Sequence, residues 1–419
     1  LGTMGFDEAY DHFAQEARAA QAAGCDLIII ETMTDLAEIK AAVLAAKENC
    51  DLPIFATMTF EADGRTFLGT SPDIAAITLD ALGADVVGIN CSLGPAELRP
   101  FAQAMLAVTA KPVMVQANAG LPHVEDGCTV FDIDPQSYAA AVANMVEDGV
   151  GIIGGCCGTN PDYIRLLADI IADRAPQQRP APASFTVTGA QRLVELPQDS
   201  HRVAVIGERI NPTGKKRLQA ALREGNLDYV VGQGISQQEQ GADVLDVNVG
   251  LPGIDEPRMI ARAVEALQGA TLLPLQIDST NADAIEAGVR AYAGKPIINS
   301  VNGKQEVLDA VLPIAAHYGC NVIGLTLDED GIPATASERV AIARRIIDEA
   351  ARYGISRERI LIDCLVMTAS TNQAQVTEIL RAVTLCRQEL GVHCTLGVSN
   401  VSFGLPAREL LNATFLAAA

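Results

Sequence analysis

A parallel α/β fold is predicted by one phrase that the chain repeats: GCDLIIIET from Gly24, GADVVGIN from Gly83, GADVLDVN from Gly241 and GCNVIGLTLD from Gly319. Each copy follows a helical stretch such as FAQEARAAQAA. Glycine suits the left-handed residue that closes a helix, and the apolar run behind it reads as a buried strand. Repeated helix–glycine–strand units mean parallel strands joined by crossover helices. Composition agrees: hydrophobic residues make up 49% but aromatic ones only 4%, the balance of aliphatic buried strands under alanine-rich helices.

Taken in order, five strands are expected before residue 175, around 27–31, 54–60, 86–91, 113–117 and 152–155. Seven are expected after residue 200, around 203–210, 243–248, 272–278, 296–300, 321–327, 359–364 and 394–399. Between them RAPQQRPAPAS, from Arg174 to Ser184, is too proline-rich to pack as helix or strand. It places a linker at 174–200, whose last residues can dock on the second domain. The 419 residues suffice for two domains with full cores, here 1–173 and 201–419. Neither block has the eight strands of a (β/α) barrel, and a doubly wound open sheet competes with it. Polar residues arbitrate: Glu31, Asn90, Asp246, Asn248 and Asp328 fall at strand C-termini, which a barrel gathers at one mouth. The expectation is two TIM-type (β/α)8 barrels in tandem, the first lacking its three N-terminal strands and the second its last. A first residue Leu1 and an ending NATFLAAA inside an apolar helical pattern suggest a fragment of a longer protein.

A net charge of −22 makes nucleic acid and anionic membrane poor partners. No apolar run is long enough to span a bilayer and no secretory leader is visible. Ten cysteines, mostly inside apolar runs, read as reduced thiols of a cytoplasmic protein.

Two of those cysteines are adjacent. GIIGGCCGT puts Cys156 and Cys157 where a strand ends among glycines, and Cys91 ends another strand in ADVVGINC. In a barrel these ends share a mouth, where three thiolates would hold Zn²⁺ and leave a fourth position open, the catalytic pattern. The flanking glycines allow the tight turn that such a pair needs. Ordinary buried thiols are the alternative from spacing alone, and for Cys25, Cys50, Cys320, Cys364, Cys386 and Cys394 packing is the reading adopted.

INCSLGP, QANAGLP and GGCCGT together resemble the homocysteine-binding barrel of the cobalamin-dependent methionine synthase family and its homocysteine S-methyltransferase relatives. In that family a cysteine after a strand and a Cys-Cys pair about 65 residues later bind catalytic zinc, and 65 residues separate Cys91 from Cys156 here. The resemblance implies that Cys91, Cys156 and Cys157 are zinc ligands. It also implies that Glu31, in IIIETMTD, and Asn118, in QANAGLP, fix the amino acid end of homocysteine. For Glu31 the alternative is a carboxylate favoured at a helix N-terminus. His123 reads as incidental.

The second block ends its strands in Glu208, Arg209 and Asn211 (GERINPTG), Asp246 and Asn248 (LDVNVG), Asp278 (LQIDST), Asn299 (IINSVNG), Asp363 (LIDCL) and Asn400 (GVSNVSFGLP). Carboxylates and amides suit a neutral heterocycle rich in N–H donors, whereas phosphates want glycine-rich loops with Lys or Arg. One carboxylate per strand is too dispersed for Mg²⁺. These motifs resemble the pterin-binding domain of the same family, related to dihydropteroate synthase and to corrinoid-linked methyltransferases. The resemblance implies that Asp278, Asn299 and Asp363 bond the pterin ring, with Asn400 near N5. Arg408, Glu208, Asn211 and Asn248 would complete the folate site, and Asp278 and Asn400 would be its catalytic residues. Asp246 and Ser399 fit that site or a rim hydrogen bond equally. The reaction implied is methyl transfer from 5-methyltetrahydrofolate, through cobalamin on a domain or subunit outside this chain, to homocysteine. The alternatives are a folate-to-corrinoid-protein methyltransferase with a vestigial homocysteine half, or a non-catalytic pterin- and zinc-binding fragment.

Overall fold

The structure, a computed structural model, describes residues 2–175, 179–180, 182–199 and 202–419. Two compact units divide the chain. One runs to Pro182 and takes in Thr188–Leu193 and Ala293–Lys295; the other comprises Ala183–Val187, Val194–Tyr292 and Pro296–Ala419.

The first unit alternates α1 (Phe6–Ala23), β1 (Ile28–Met33), α2 (Leu36–Asn49), β2 (Ile54–Met58), α3 (Pro72–Leu82), β3 (Val86–Asn90), α4 (Pro95–Val108) and β4 (Val113–Ala117). A hairpin of β5 (Pro122–Glu125) and β6 (Cys128–Phe131) precedes α5 (Pro135–Asp148), β7 (Ile152–Gly155) and α6 (Pro161–Ile171). The main sheet is parallel, in the order β1-β2-β3-β4-β7. The four phrase glycines, 24, 83, 241 and 319, have φ of 76°, 96°, 88° and 71°, so each supplies the left-handed residue before its strand. Asp35, Asp134 and Asn160 cap α2, α5 and α6 with side-chain oxygens, satisfying backbone donors that a helix start leaves unpaired. Ala41, Ala42, Ala45 and Ala46 are all buried, which lets α2 lie close against the strands. The β5–β6 hairpin is additional to the expected strands. Its turn, Asp126–Gly127, has φ of 50° and 81°, which matches the Asp-Gly signature of a two-residue hairpin turn.

The second unit begins with strands β8 (Phe185–Thr188) and β9 (Leu193–Leu196), whose residues 188 and 193 fall to the first. Then come β10 (Ile206–Ile210), α7 (Lys216–Glu224), α8 (Leu227–Glu239), β11 (Val244–Val247), α9 (Glu256–Gln268), β12 (Leu275–Asp278), α10 (Ala282–Ala291) and β13 (Ile297–Asn302). α11 (Gln305–His317), β14 (Asn321–Leu325), α12 (Ala336–Arg352), β15 (Ile360–Asp363), α13 (Ala374–Leu385), β16 (His393–Thr395) and α14 (Arg408–Ala418) complete it. Strands β10 to β16 pair in parallel in chain order. Among the described residues no pairing joins the first strand of either sheet to its last. The two expected barrels are therefore observed as open parallel arrays of five and seven strands.

The seven-stranded sheet curls. Val244 of β11, Ile297 of β13, Ile323 of β14 and Leu361 of β15 share one buried cluster with Phe185, Val187 and Val194. In a flat sheet β11 and β15 would stand about 19 Å apart, at roughly 4.8 Å per strand. Val244, Ile297 and Leu361 lie in the first halves of their strands and Ile323 at the middle of its own, so β8 and β9 plug the N-terminal end and leave the C-terminal ends free.

Two segments differ from expectation. Residues 185–196 fall within the expected linker, yet they carry two strands, because Phe185, Val187 and Val194 bury alternate side chains in the second core. The expected strand 394–399 stops at Thr395, and Val398–Ser402 is a 3₁₀ turn, closed by Asn400 N–H on the Gly397 carbonyl at 3.0 Å. No helix among the described residues is long and apolar enough to cross a membrane.

Phe185 is 2% exposed at the centre of the plug. Phe185→Ala is expected to lower the stability of the second unit by about 3 kcal/mol, and Phe185→Leu by less. Urea unfolding followed by circular dichroism measures both; equal midpoints for wild type and the alanine variant would refute the plug.

Candidate active sites

In the first unit the cysteines meet across β4. Asn90 of β3 pairs with Gln116 of β4, and Ala117 of β4 with Gly155 of β7. One residue further, Cys91 N–H donates to Gln116 O at 2.9 Å and Cys156 N–H donates to Ala117 O at 2.8 Å. The Sγ atoms of Cys91, Cys156 and Cys157 lie within 4.8 Å of one another, with Cys91 and Cys157 at 3.7 Å. Cys91 and Ser92 both have left-handed backbones, φ 64° and 67°, an uncommon conformation that persists only where its surroundings hold it. Glycine is required next to the pair: a Cβ at Gly155 would sit 2.5 Å from Thr159 Oγ1, and one at Gly158 would sit 2.3 Å from the Phe131 ring.

Asn118 directly follows β4 between them, and its Oδ1 accepts the Cys157 N–H at 3.0 Å. Glu31 is exposed near the end of β1, beside Thr32, whose φ is 62°. His123 is exposed in β5. Two further residues support the cluster. Asn90 is fully buried and its Oδ1 accepts from Thr32 N–H at 2.8 Å and Thr57 Oγ1 at 2.7 Å, tying the ends of β1, β2 and β3 together. The Tyr138 hydroxyl donates toward Ala117 O and Gly154 O, both at 3.0 Å, bracing β4 to β7 below the pair. Asn90 is visible in the sequence as a strand-end amide next to Cys91; Tyr138, inside a helical segment, carries no such signal.

Cys156 and Cys157 disfavour ionisation on their own. Burial, then the neighbouring Cys91, pushes Cys156 up to about 12, and Cys157 is raised first by its contact with Cys91. A divalent cation among three converging sulfurs reverses that preference, and tetrahedral S-ligation suits Zn²⁺. The donor set present fits that ion.

In the second unit a cavity of about 740 Å³ opens inside the curled sheet. Glu208, Asp246, Asp278, Asn299, Asp363, Ser399 and Asn400 line it. Behind them, Asn211 Nδ2 donates to Glu208 Oε1 at 3.1 Å, and Asn248 Nδ2 donates to Asp278 Oδ2 at 3.0 Å. Arg408 donates to Ser402 Oγ at 3.1 Å and to the Ser399 carbonyl at 3.0 Å, which fixes the turn that carries Asn400. Gln276 does not stand out in the sequence, yet its amide donates to Asp246 Oδ1. Asp246 Oδ2 is buried without a partner.

Burial dominates the electrostatics here. It pushes Asp246 up to about 8, with the Asp278 charge adding to it, and raises Asp278 against the pull of Asn248. Asp363 rises to about 6 by burial, tempered by the Leu365 N–H at 2.8 Å. At neutral pH the Asp246–Asp278 pair retains a proton, as expected of two carboxyls sharing a buried site. Such a wall accepts N–H donors and can give up a proton.

Comparison with known proteins follows the same division. The family model of homocysteine S-methyltransferase matches residues 1–171, and that of pterin binding enzymes matches 207–419. Methionine synthase of Mycobacterium tuberculosis (strain ATCC 25618 / H37Rv) is 32% identical over 438 residues, covering 99% of this chain and 37% of the relative. That of Mycobacterium leprae (strain TN) is 31% identical over 442 residues with the same coverage. The chain thus spans 37% of the length of these curated relatives. Dihydropteroate synthase from Xanthomonas albilineans in complex with 7,8-dihydropteroate is similar at a TM-score of 0.41 and 24% identity, covering 56% of this chain and 87% of that one. The enzyme from Stenotrophomonas maltophilia gives a TM-score of 0.41 at 23% identity, covering 57% and 87%. The pterin-binding match takes in half of the sequence, and on it the chain belongs to the pterin binding enzyme family, with a homocysteine S-methyltransferase domain, the mark of a methyltransferase, ahead of it.

Proposed function

We propose that the chain moves a methyl group from 5-methyltetrahydrofolate, bound in the second unit, to homocysteine, bound in the first, through a cobalamin carrier on another domain or subunit. The products are methionine and tetrahydrofolate, and the setting is the cytoplasm, where thiols stay reduced. The convergence of Cys91, Cys156 and Cys157 on one point carries this reading.

Cys91, Cys156 and Cys157 would hold Zn²⁺ with a fourth position open. When bound, the ion supplies a Lewis acid that keeps a substrate thiol deprotonated at neutral pH. Asn118, its carbonyl engaged by Cys157, offers its amide N–H to the homocysteine carboxylate. Glu31 offers a carboxylate to the substrate ammonium. Residues 1–173 are read as the homocysteine module and 201–419 as the pterin module, each a partial barrel.

In the second unit Asp278, Asn299 and Asp363 accept from or donate to the pterin ring, and Glu208, Asn211, Asn248, Ser399 and Arg408 hold the mouth around it. N5 is a poor leaving group until protonated. Asp278, sharing a proton with Asp246, would supply that proton, and Asn400 would steady it near N5.

Cys156→Ser should remove one equivalent of zinc per chain, read by metal mass spectrometry; unchanged zinc sinks the ligand assignment. Asp278→Ala should weaken reduced-folate binding by about 1–3 kcal/mol, while Lys304→Ala binds like wild type. Titration calorimetry that finds both variants unaffected means the pterin site lies elsewhere.

The raised carboxyls also set a pH dependence. Asp246 and Asp363 hold protons in the folded chain that a free Asp loses near pH 4. Their contribution to stability therefore declines as pH climbs from about 4 to about 8. Asp246→Asn should abolish part of that decline. Urea midpoints at about pH 5 and about pH 8.5 test it; the same drop in variant and wild type contradicts the assignment.

A further inference from the structure

The second unit holds another three-thiol cluster that neither site uses. Cys364 directly follows Asp363 at the end of β15, and Cys394 lies in β16, where it faces Ile362 of β15 across the ladder. Cys386 opens the π-turn Cys386–Leu390 that finishes α13, a local widening often found at functional positions. Their Sγ atoms lie within 4.8 Å of one another. Three points so close lie within about 2.8 Å of a common centre, roughly half an ångström beyond a zinc–thiolate bond of about 2.3 Å. A disulfide would use two of the sulfurs and strand the third; a metal ion uses all three.

Charge supports the same occupant. Arg339 is 0% exposed, and its guanidinium donates to the carbonyls of Cys364 and Leu365 and to Gln375 Oε1. These acceptors are neutral; the Asp363 and Glu378 carboxylates act on the guanidinium through space, and among the described residues neither forms an ion pair with it. Negative charge close to a buried cation is favourable. A divalent ion on three thiolates carries one net negative charge and would add to that of the two carboxylates. Cys364 and Cys386 are buried, while Cys394 is partly exposed and lines the cavity.

We propose that Cys364, Cys386 and Cys394 bind a thiophilic divalent ion of the Zn²⁺ class, which clamps β15, β16 and the end of α13 behind Asp363. The clamp fixes the strand end that carries Asp363 and the approach to the turn that carries Asn400.

Co²⁺ is the probe, since thiolate ligation gives it a strong sulfur-to-metal charge-transfer absorption. The full chain with Cys91→Ser, Cys156→Ser and Cys157→Ser lacks the first trio, so the outcome is independent of the zinc assignment there. It should still take up one equivalent of Co²⁺ with that absorption, and adding Cys386→Ser should abolish it. A variant folded by circular dichroism but showing no such absorption overturns the proposal. Should the triple variant not fold, native alkylation of the wild type read by mass spectrometry decides. A chelator should raise labelling of Cys364, Cys386 and Cys394 several-fold. Labelling indifferent to chelator, or a disulfide between any two of them, overturns it.

Discussion

Two backbone hydrogen bonds to β4 hold the first site in being, from Cys91 to Gln116 and from Cys156 to Ala117. They continue the parallel ladders of β3 and β7 by one rung beyond the strands. Residues 65 apart in sequence are thereby placed side by side. Register is all-or-none at such a rim, because a slip of one residue turns every side chain to the opposite face. Asn90 and Tyr138 make slipping expensive, since each would leave buried polar atoms unpaired.

The second site rests on desolvation. Asp246, Asp278 and Asp363 stand where burial disfavours their charged forms. Amides from Gln276 and Asn248 answer part of that demand, and Asp246 Oδ2 is left unanswered. A buried polar atom without a partner is costly in the free protein and valuable to a ligand that completes its hydrogen bonding. A heterocycle with several donors fits such a wall better than an anion does, and this agrees with a chain whose overall charge is strongly negative.

The plug of β8 and β9 shows how the same sheet acquires two different ends. Apolar side chains from β11, β13, β14 and β15 close on Phe185, Val187 and Val194 at the N-terminal ends of the strands. Carboxylates and amides are left at the C-terminal ends. Parallel strands make this separation unavoidable, because all their C-termini point the same way.

Much of this was legible in the sequence. Glycine before an apolar run marks a helix end and a buried strand at four positions, and apolar runs elsewhere marked the other strands of the two parallel sheets, the last of them only at its start. The polar residue at the end of each run named the rim, and GGCCGT with INCSLGP named the three cysteines that the fold brings together. What the sequence could not supply were facts about distance. Phe185–Leu196 looked like linker because four-residue strands carry too short a pattern to distinguish. Tyr138 carried no signal because its hydroxyl partners are carbonyls on other elements. Cys364, Cys386 and Cys394 looked like separate packing residues because each sits in its own apolar run. Local composition determines which element a residue joins. Only the curl of the sheet and the register of its ladders decide which residues from distant elements meet, because those depend on pairings between segments that no single window of sequence contains.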